Sequence, residues 1–254
     1  MRGIRFFLAA WMILGSTVYA SAHFDMLIGD KPWVDRGETA TFRYYSGHPF
    51  EAEVADRERP VSVIAVREGG ETEDISENIE KTTIRYEGKD RPQYVFTYAP
   101  KRSGDIILSV QGARQFWENT CADSFCKLVL HCRRSVGWDQ ELGHPVEIVP
   151  YTRPYGIRAG SVFCGKVKVN GESAEGIEIE FEEFNESPPA TIPPGPLVTG
   201  IVKTNKDGNF QMTLDREGWW GIAAHATTGK IQHEGKTYDR EVSALFWVYV
   251  HPGR

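Results

Sequence analysis

The chain has 254 residues, with 29 Lys and Arg against 35 Asp and Glu and a formal net charge of −6. That acidic balance excludes the basic footprint that nucleic-acid binding demands, and it suits cationic ligands as well as plain solubility. The length is enough for two modest β domains.

The first 22 residues, MRGIRFFLAAWMILGSTVYASA, read as a signal peptide. Arg2 and Arg5 form a positive start, and the apolar stretch Phe6 to Gly15 comes next. That stretch is short of the ~20 residues a membrane-spanning helix needs. Ala20-Ser21-Ala22 fits an A-x-A cleavage site. Cleavage after Ala22 leaves a mature chain that begins at His23. Losing Arg2 and Arg5 takes the net charge from −6 to −8. The expected location is periplasmic or otherwise extracytoplasmic, with no membrane span after cleavage.

Long apolar stripes of helical period are nearly absent. Short runs rich in Val, Ile, Tyr and Phe recur instead, bounded by Gly, Pro, Asn and Asp, which is the pattern of β-sandwiches. The expected fold is all-β, with two β-sandwich domains in tandem at residues 23–142 and 161–254. In the first, strands are expected at 23–28, 38–45, 61–66, 93–98, 105–110 and 127–132. The acidic stretch 71–80 reads as a solvated loop with at most one short helical turn. Residues 143–160, GHPVEIVPYTRPYGIRAG, hold three prolines and three glycines around one apolar run, and read as a linker.

In the second domain, strands are expected at 161–169, 176–184, 198–204, 209–214, 219–226 and 242–250. Asn170-Gly171 and Asp207-Gly208 are hairpin signals. Phe181, Phe210, Trp220 and Trp247 are core candidates. SPPATIPPGP, residues 187–196, is too proline-rich for a central strand and reads as an exposed loop.

Four cysteines, Cys121, Cys126, Cys132 and Cys164, in an exported chain suggest disulfides, with three possible pairings. The spacing favours Cys121 with Cys126 and Cys132 with Cys164. A zinc site would want paired short spacings such as C-x-x-C, and none occurs.

His23 is the most informative residue. At a mature N-terminus it offers the α-amine and the imidazole as two nitrogen donors to one metal ion. Such donor sets suit copper(II) or nickel(II). The amine has an ordinary pKa of about 7.7–8.0, so a metal can displace its proton near neutral pH. His48, in the turn Ser46-Gly47-His48-Pro49-Phe50-Glu51, is the expected second ligand, held at a sandwich rim just after a strand. Glu51 reads as a solvated carboxylate. His225 and His251, in or beside apolar strands, read as hydrogen-bonded core or edge residues. His131, His144 and His233 sit in polar stretches and receive no role.

The runs GKVKVNGESAEGIEIEF, VKTNKDGNFQMTL and GWWGIAAHA resemble the transthyretin-like, carboxypeptidase-regulatory-like β-sandwich over roughly residues 161–250. That resemblance implies a fold and no catalysis. Taken with AHFDMLIGD, GHPFE, EIVPYTRPYGIRAGSVFCGKV and LFWVYVHP, nearly the whole mature chain resembles a domain-of-unknown-function family. That family is labelled as the periplasmic component of nickel or cobalt ABC-type uptake (NikM-like). Ala22-His23 and His48-Pro49-Phe50 match its start and its turn. The resemblance implies a periplasmic metal-binding accessory protein, nickel or cobalt as its ion, and membrane components of a metal-uptake permease as partners. Integral nickel permeases carry transmembrane helices that this chain lacks.

No G-x-S-x-G, H-E-x-x-H or P-loop is present, so no enzyme is expected. Two rivals stand beside the metal-uptake reading. One is a metal-free structural or glycan-associated β-sandwich module. The other is a copper-binding protein, since an N-terminal His with a second His resembles the copper brace of lytic polysaccharide monooxygenases and periplasmic proteins of the CopC type.

Overall fold

The computed structural model describes residues 23–253, which are almost wholly β. The leader at 1–22 lies outside the described residues. The all-β expectation holds, in a particular form: three layers of sheet in which two sandwiches share the middle layer.

That middle layer is a ten-stranded sheet. Its order is Gly200–Lys203, Glu178–Glu183, Gly218–His233, Lys236–His251, Thr120–Leu130, Ile106–Gln111, Ser62–Val66 and Thr72–Asp74, with Ile157–Arg158 and Gln115–Trp117 beside it. One face is covered by the sheet Phe24–Gly29, Ala40–Gly47, Lys89–Tyr98 and Glu80–Tyr86. The other is covered by Val146–Pro150, Ser161–Val169, Glu172–Ser173 and Asn209–Leu214.

The closing strand explains this arrangement. Ala244-Leu245-Phe246-Trp247-Val248 is a continuous apolar run, as expected of a strand buried on both faces. Leu245 and Trp247 enter one core with Phe24, Phe42 and Phe96. Ala244, Phe246 and Val248 enter the other with Phe163 and Phe210. Trp247, expected inside the second domain, therefore packs in the core of the first half.

The same strand pairs in parallel with Thr120–Leu130, so one ladder joins the two halves of the chain. Residues 143–160, read as a linker, contain two strands. Val146–Pro150 pairs with Ser161–Val169, and Ile157–Arg158 pairs with the closing strand. Lys127 and Glu147, both buried, pin this segment down with an ion pair at 2.6 Å, while the Leu142 and Gly143 amides donate to Glu147.

Both hairpin signals form as turns. Asn170 and Gly171 take positive φ, and the Gly208 amide closes the other turn onto Asn205. The proline-rich 187–196 segment contains no strand. The acidic stretch holds the short strand Thr72–Asp74 and one 3-10 turn.

The expected disulfides are not formed: all four cysteines are free. Cys121 and Cys126 lie on one strand. Five residues of strand span about 17 Å, whereas bridged Cα atoms lie within about 7 Å. Cys132 is in the core on one face of the central sheet, and Cys164 is on the outer sheet covering the other face.

Candidate metal centre

The site begins with register. Phe24 pairs with Gly47 in the antiparallel ladder of the first two strands, and each step along one strand is matched by a step back along the other. One further step sets His23 opposite His48. Their ring centroids are 4.9 Å apart, at 61°.

After His48 the chain makes a tight loop. The Glu53 amide donates to the His48 carbonyl at 3.1 Å, and the Ala55 amide donates to the Ser46 carbonyl at 2.7 Å. The loop folds back so closely that a Cβ on Gly47 would lie 1.9 Å from the Glu53 carbonyl oxygen. Glycine at 47 is therefore a steric requirement of the turn. The fold-back brings the Glu53 carboxylate within reach of both rings, with Oε1 3.8 Å from His23 Nε2 and Oε2 3.6 Å from His48 Nε2.

The strand that carries His23 is firmly anchored. Asp25 Oδ2 accepts from the Tyr44 hydroxyl at 2.6 Å, Arg57 Nη2 at 2.7 Å and the Ser124 hydroxyl at 2.5 Å. The Asp25 carbonyl accepts from Trp247 Nε1 at 3.0 Å. All five residues are buried. Gly112 makes room for this network, since a Cβ there would lie 2.2 Å from both Arg57 Nη2 and Ser124 Oγ. His23 is thus two residues from a fixed point, although its own side chain is 47 % exposed.

His23, His48 and Glu53 each present a donor atom, and the three atoms lie within 4.8 Å of one another. Ligands on one ion, with bonds of about 2.0–2.2 Å, stand no farther apart than about 4.4 Å. The two histidine–carboxylate distances, one to each oxygen of Glu53, fall within that limit. Burial, then the neighbouring His48, hold the His23 imidazole below its ordinary 6.5, against the upward pull of Glu53 and Asp25. A neutral imidazole is the form that binds metal. The donor set fits a borderline transition-metal ion.

Behind His48 lies a second group. His48, Glu51 and Glu182 also place donor atoms within 4.8 Å of one another. Glu182 comes from the strand Glu178–Glu183, where Ile179 and Phe181 face a core and the alternating glutamates face the other way. The loop is docked there by Asn185, whose amide donates to the Pro49 carbonyl and whose side chain donates to that of Phe50. Glu182 is 3 % exposed. Its Oε1 accepts from the Thr199 hydroxyl. Its Oε2 and the Oε2 of Glu51 are buried without a hydrogen-bond partner. Burial first, and Glu51 as well, push the Glu182 carboxyl above its ordinary range, opposed by Thr199, His48 and the Phe50 amide. Glu51, expected to be solvated, thus has one oxygen out of solvent.

A cleft of about 940 Å³ opens beside His23. Asp56, Glu178, Glu180, Glu241 and His225 contribute to its walls. His225 bonds Ser243 through Nδ1 at 2.8 Å, and His251 bonds the Tyr155 carbonyl at 3.0 Å. Both are the hydrogen-bonded residues expected. The three histidines given no role are packed on rings: His131 on Tyr155, His144 on Phe125 and His233 on Phe116. Sequence reasoning missed Glu53 and Glu182. The alternation Glu178-Ile-Glu180-Phe-Glu182 marked a strand with an acidic face, but nothing in the sequence placed that face against the His48 turn.

The fold and this cluster define an all-β protein with a two-histidine, carboxylate-rich site where its two halves meet. The chain belongs to the family described as a domain of unknown function, DUF4198, whose family model matches residues 20–228. No curated protein matches it. Among solved structures it is similar to a DUF4785 family protein from Legionella pneumophila, at 10 % identity and TM-score 0.32. That match covers 88 % of this chain and 56 % of the other, so the chain spans about half the length of that protein. It is also similar to the D0-D1 domain of intimin, at 12 % identity and TM-score 0.22, covering 90 % of this chain and 100 % of that one. The Yersinia pseudotuberculosis adhesin InvE matches at 14 % identity and TM-score 0.23, covering 87 % and 58 %. Among the described residues no helix is long and apolar enough to cross a membrane.

Proposed function

We propose that this protein is a periplasmic accessory protein that binds a divalent transition metal, serving nickel or cobalt uptake together with membrane permease components. It is not an enzyme on this reading. The observation that carries the reading is the convergence of His23, His48 and Glu53 on one point. The family resemblance of the AHFDMLIGD and GHPFE runs supplies the link to uptake.

In the mature chain His23 is the first residue, and its α-amine joins the donor set. The amine and the imidazole then chelate through one residue, with His48 and Glu53 completing the site. Such a chelate uses Nδ1, whereas Nε2 is the nitrogen that faces Glu53 at 3.8 Å, so the His23 side chain must reorient when the ion binds. The bound ion supplies only its charge and its affinity for nitrogen. The residues fix its position, and the cleft beside His23 gives an ion a way in.

By the Irving–Williams order copper(II) binds such nitrogen donors more tightly than nickel(II) or cobalt(II) in vitro. The copper-binding alternative therefore has the same ligands and differs in the ion delivered. Calorimetric titration of the mature chain tests the reading. His48→Ala and Glu53→Gln should each weaken nickel(II) binding, while His233→Ala, on the far hairpin, should leave it unchanged. Equal affinity in all four proteins would remove His48 and Glu53 from the site.

A further inference from the structure

We propose that Glu51 and Glu182, with His48, form a second divalent-cation site behind the first, richer in oxygen, and that His48 serves one site or the other. The inference deepens the metal reading and rests on it through His48.

Three observations carry it. First, Glu182 is almost wholly buried, and its Oε2 accepts no hydrogen bond. Second, the Oε2 of Glu51 is also buried and unpartnered, and the donor atoms of His48, Glu51 and Glu182 lie within 4.8 Å of one another. Third, the three donor residues come from two separate parts of the chain, the loop after Gly47 and the strand Glu178–Glu183, so the cluster is assembled by the fold. A buried polar oxygen left unpaired is costly, and metal coordination is one way to satisfy it.

The two sites differ in chemistry. The outer set offers two imidazoles, the amine of the mature chain and one carboxylate. The inner set offers one imidazole and two carboxylates, which shifts preference toward oxygen-seeking ions such as manganese(II) and cobalt(II) and away from copper(II). The inner set also joins separate parts of the chain. His48 and Glu51 come from the loop after the second strand, and Glu182 comes from the central sheet. An ion there ties the loop to the sheet at the point where Asn185 already holds it. Because one imidazole is common to both sets, an ion entering beside His23 has a second resting place directly behind it.

The test separates the two sites. The mature chain carrying His23→Ala disables the outer site and is titrated with manganese(II) and cobalt(II). It should bind one ion and melt at a higher temperature with the ion present. Adding Glu182→Gln to that variant should weaken binding at least tenfold and abolish the rise in melting temperature. Glu182→Gln alone should leave copper(II) affinity within threefold of wild type. Glu51→Gln provides a second route if the Glu182 variant does not fold, as judged by circular dichroism. Equal manganese(II) and cobalt(II) binding with and without Glu182→Gln, or no binding by His23→Ala, would overturn the inner site. Unchanged copper(II) affinity in His23→Ala would instead strike the outer site, whatever the manganese result.

Discussion

His23 and His48 face each other because Phe24 and Gly47 are paired, and their ring centroids stand 4.9 Å apart. Twenty-five positions separate them in sequence, yet a single antiparallel ladder fixes their relation. The carboxylate of Glu53 joins them only because the chain doubles back over Gly47.

That dependence gives the first prediction. A side chain at 47 would meet the Glu53 carbonyl at 1.9 Å, so the loop must open in Gly47→Ala. Overpacking of this kind costs about 1–3 kcal/mol. Melting should fall accordingly, and nickel(II) affinity should fall with it, because Glu53 leaves the rings. Unaltered binding in a folded Gly47→Ala protein would show that Glu53 plays no part.

The second prediction concerns the anchor beneath His23. Asp25 and Arg57 are buried partners at 2.7 Å. Arg57→Ala leaves the Asp25 carboxylate with its two hydroxyl donors and no cation. Breaking one side of a buried pair typically costs about 3–5 kcal/mol. Denaturant unfolding of Arg57→Ala against wild type measures it. A loss comparable with that of an exposed pair, such as Arg85 with Asp90, would contradict the account.

Much of the fold could be read from the residues, and the reason is local. Ser161–Val169 and Asn209–Leu214 alternate or run apolar between clear turns, and their observed limits match the expectation. Glu80–Tyr86 escaped notice because it is a polar edge strand whose partner contains Pro92. The hairpin continuing to His233 and Lys236 escaped because residues 227–241 are largely exposed and carry little apolar pattern. The sharing of one sheet by both halves was not legible, since parallel pairing of Asp239–Trp247 with Thr120–Leu128 depends on contacts far apart in sequence. His23 and His48 stood out by chemistry and position. Glu53 and Glu182 needed the folded loop.

The third prediction comes from the cysteines. Cys121, Cys126 and Cys132 are buried thiols, and Cys164 is partly exposed. Thiol labelling of the unreduced native protein should modify Cys164 first, and labelling after unfolding should reach all four. Absence of label after unfolding without reductant would show that bridges form despite the strand geometry.

The fourth concerns acid. His144, against Phe125 and bonded to Ser109, is held down to about 4 by burial and then by Lys127, against the opposing pull of Glu147. The unfolded chain therefore binds a proton at this residue more readily than the folded one. This contribution favours folding fully above the ordinary 6.5 and is lost progressively as pH falls from there toward 4. Unfolding measured across that window should show a shallower decline in His144→Gln than in wild type. Parallel curves would mean that other groups set the acid response.

The most direct measurement of the central claim compares two mature chains that differ only at the N-terminus. One begins at His23, and the other carries a single additional residue ahead of it, which keeps the imidazole and moves the amine away. Both are titrated calorimetrically with nickel(II) and copper(II) near neutral pH. The account predicts that the extended chain binds at least about tenfold more weakly, equivalent to about 1.4 kcal/mol, with its melting temperature unchanged. Equal affinity in the two chains would contradict chelation by the amine and imidazole of His23.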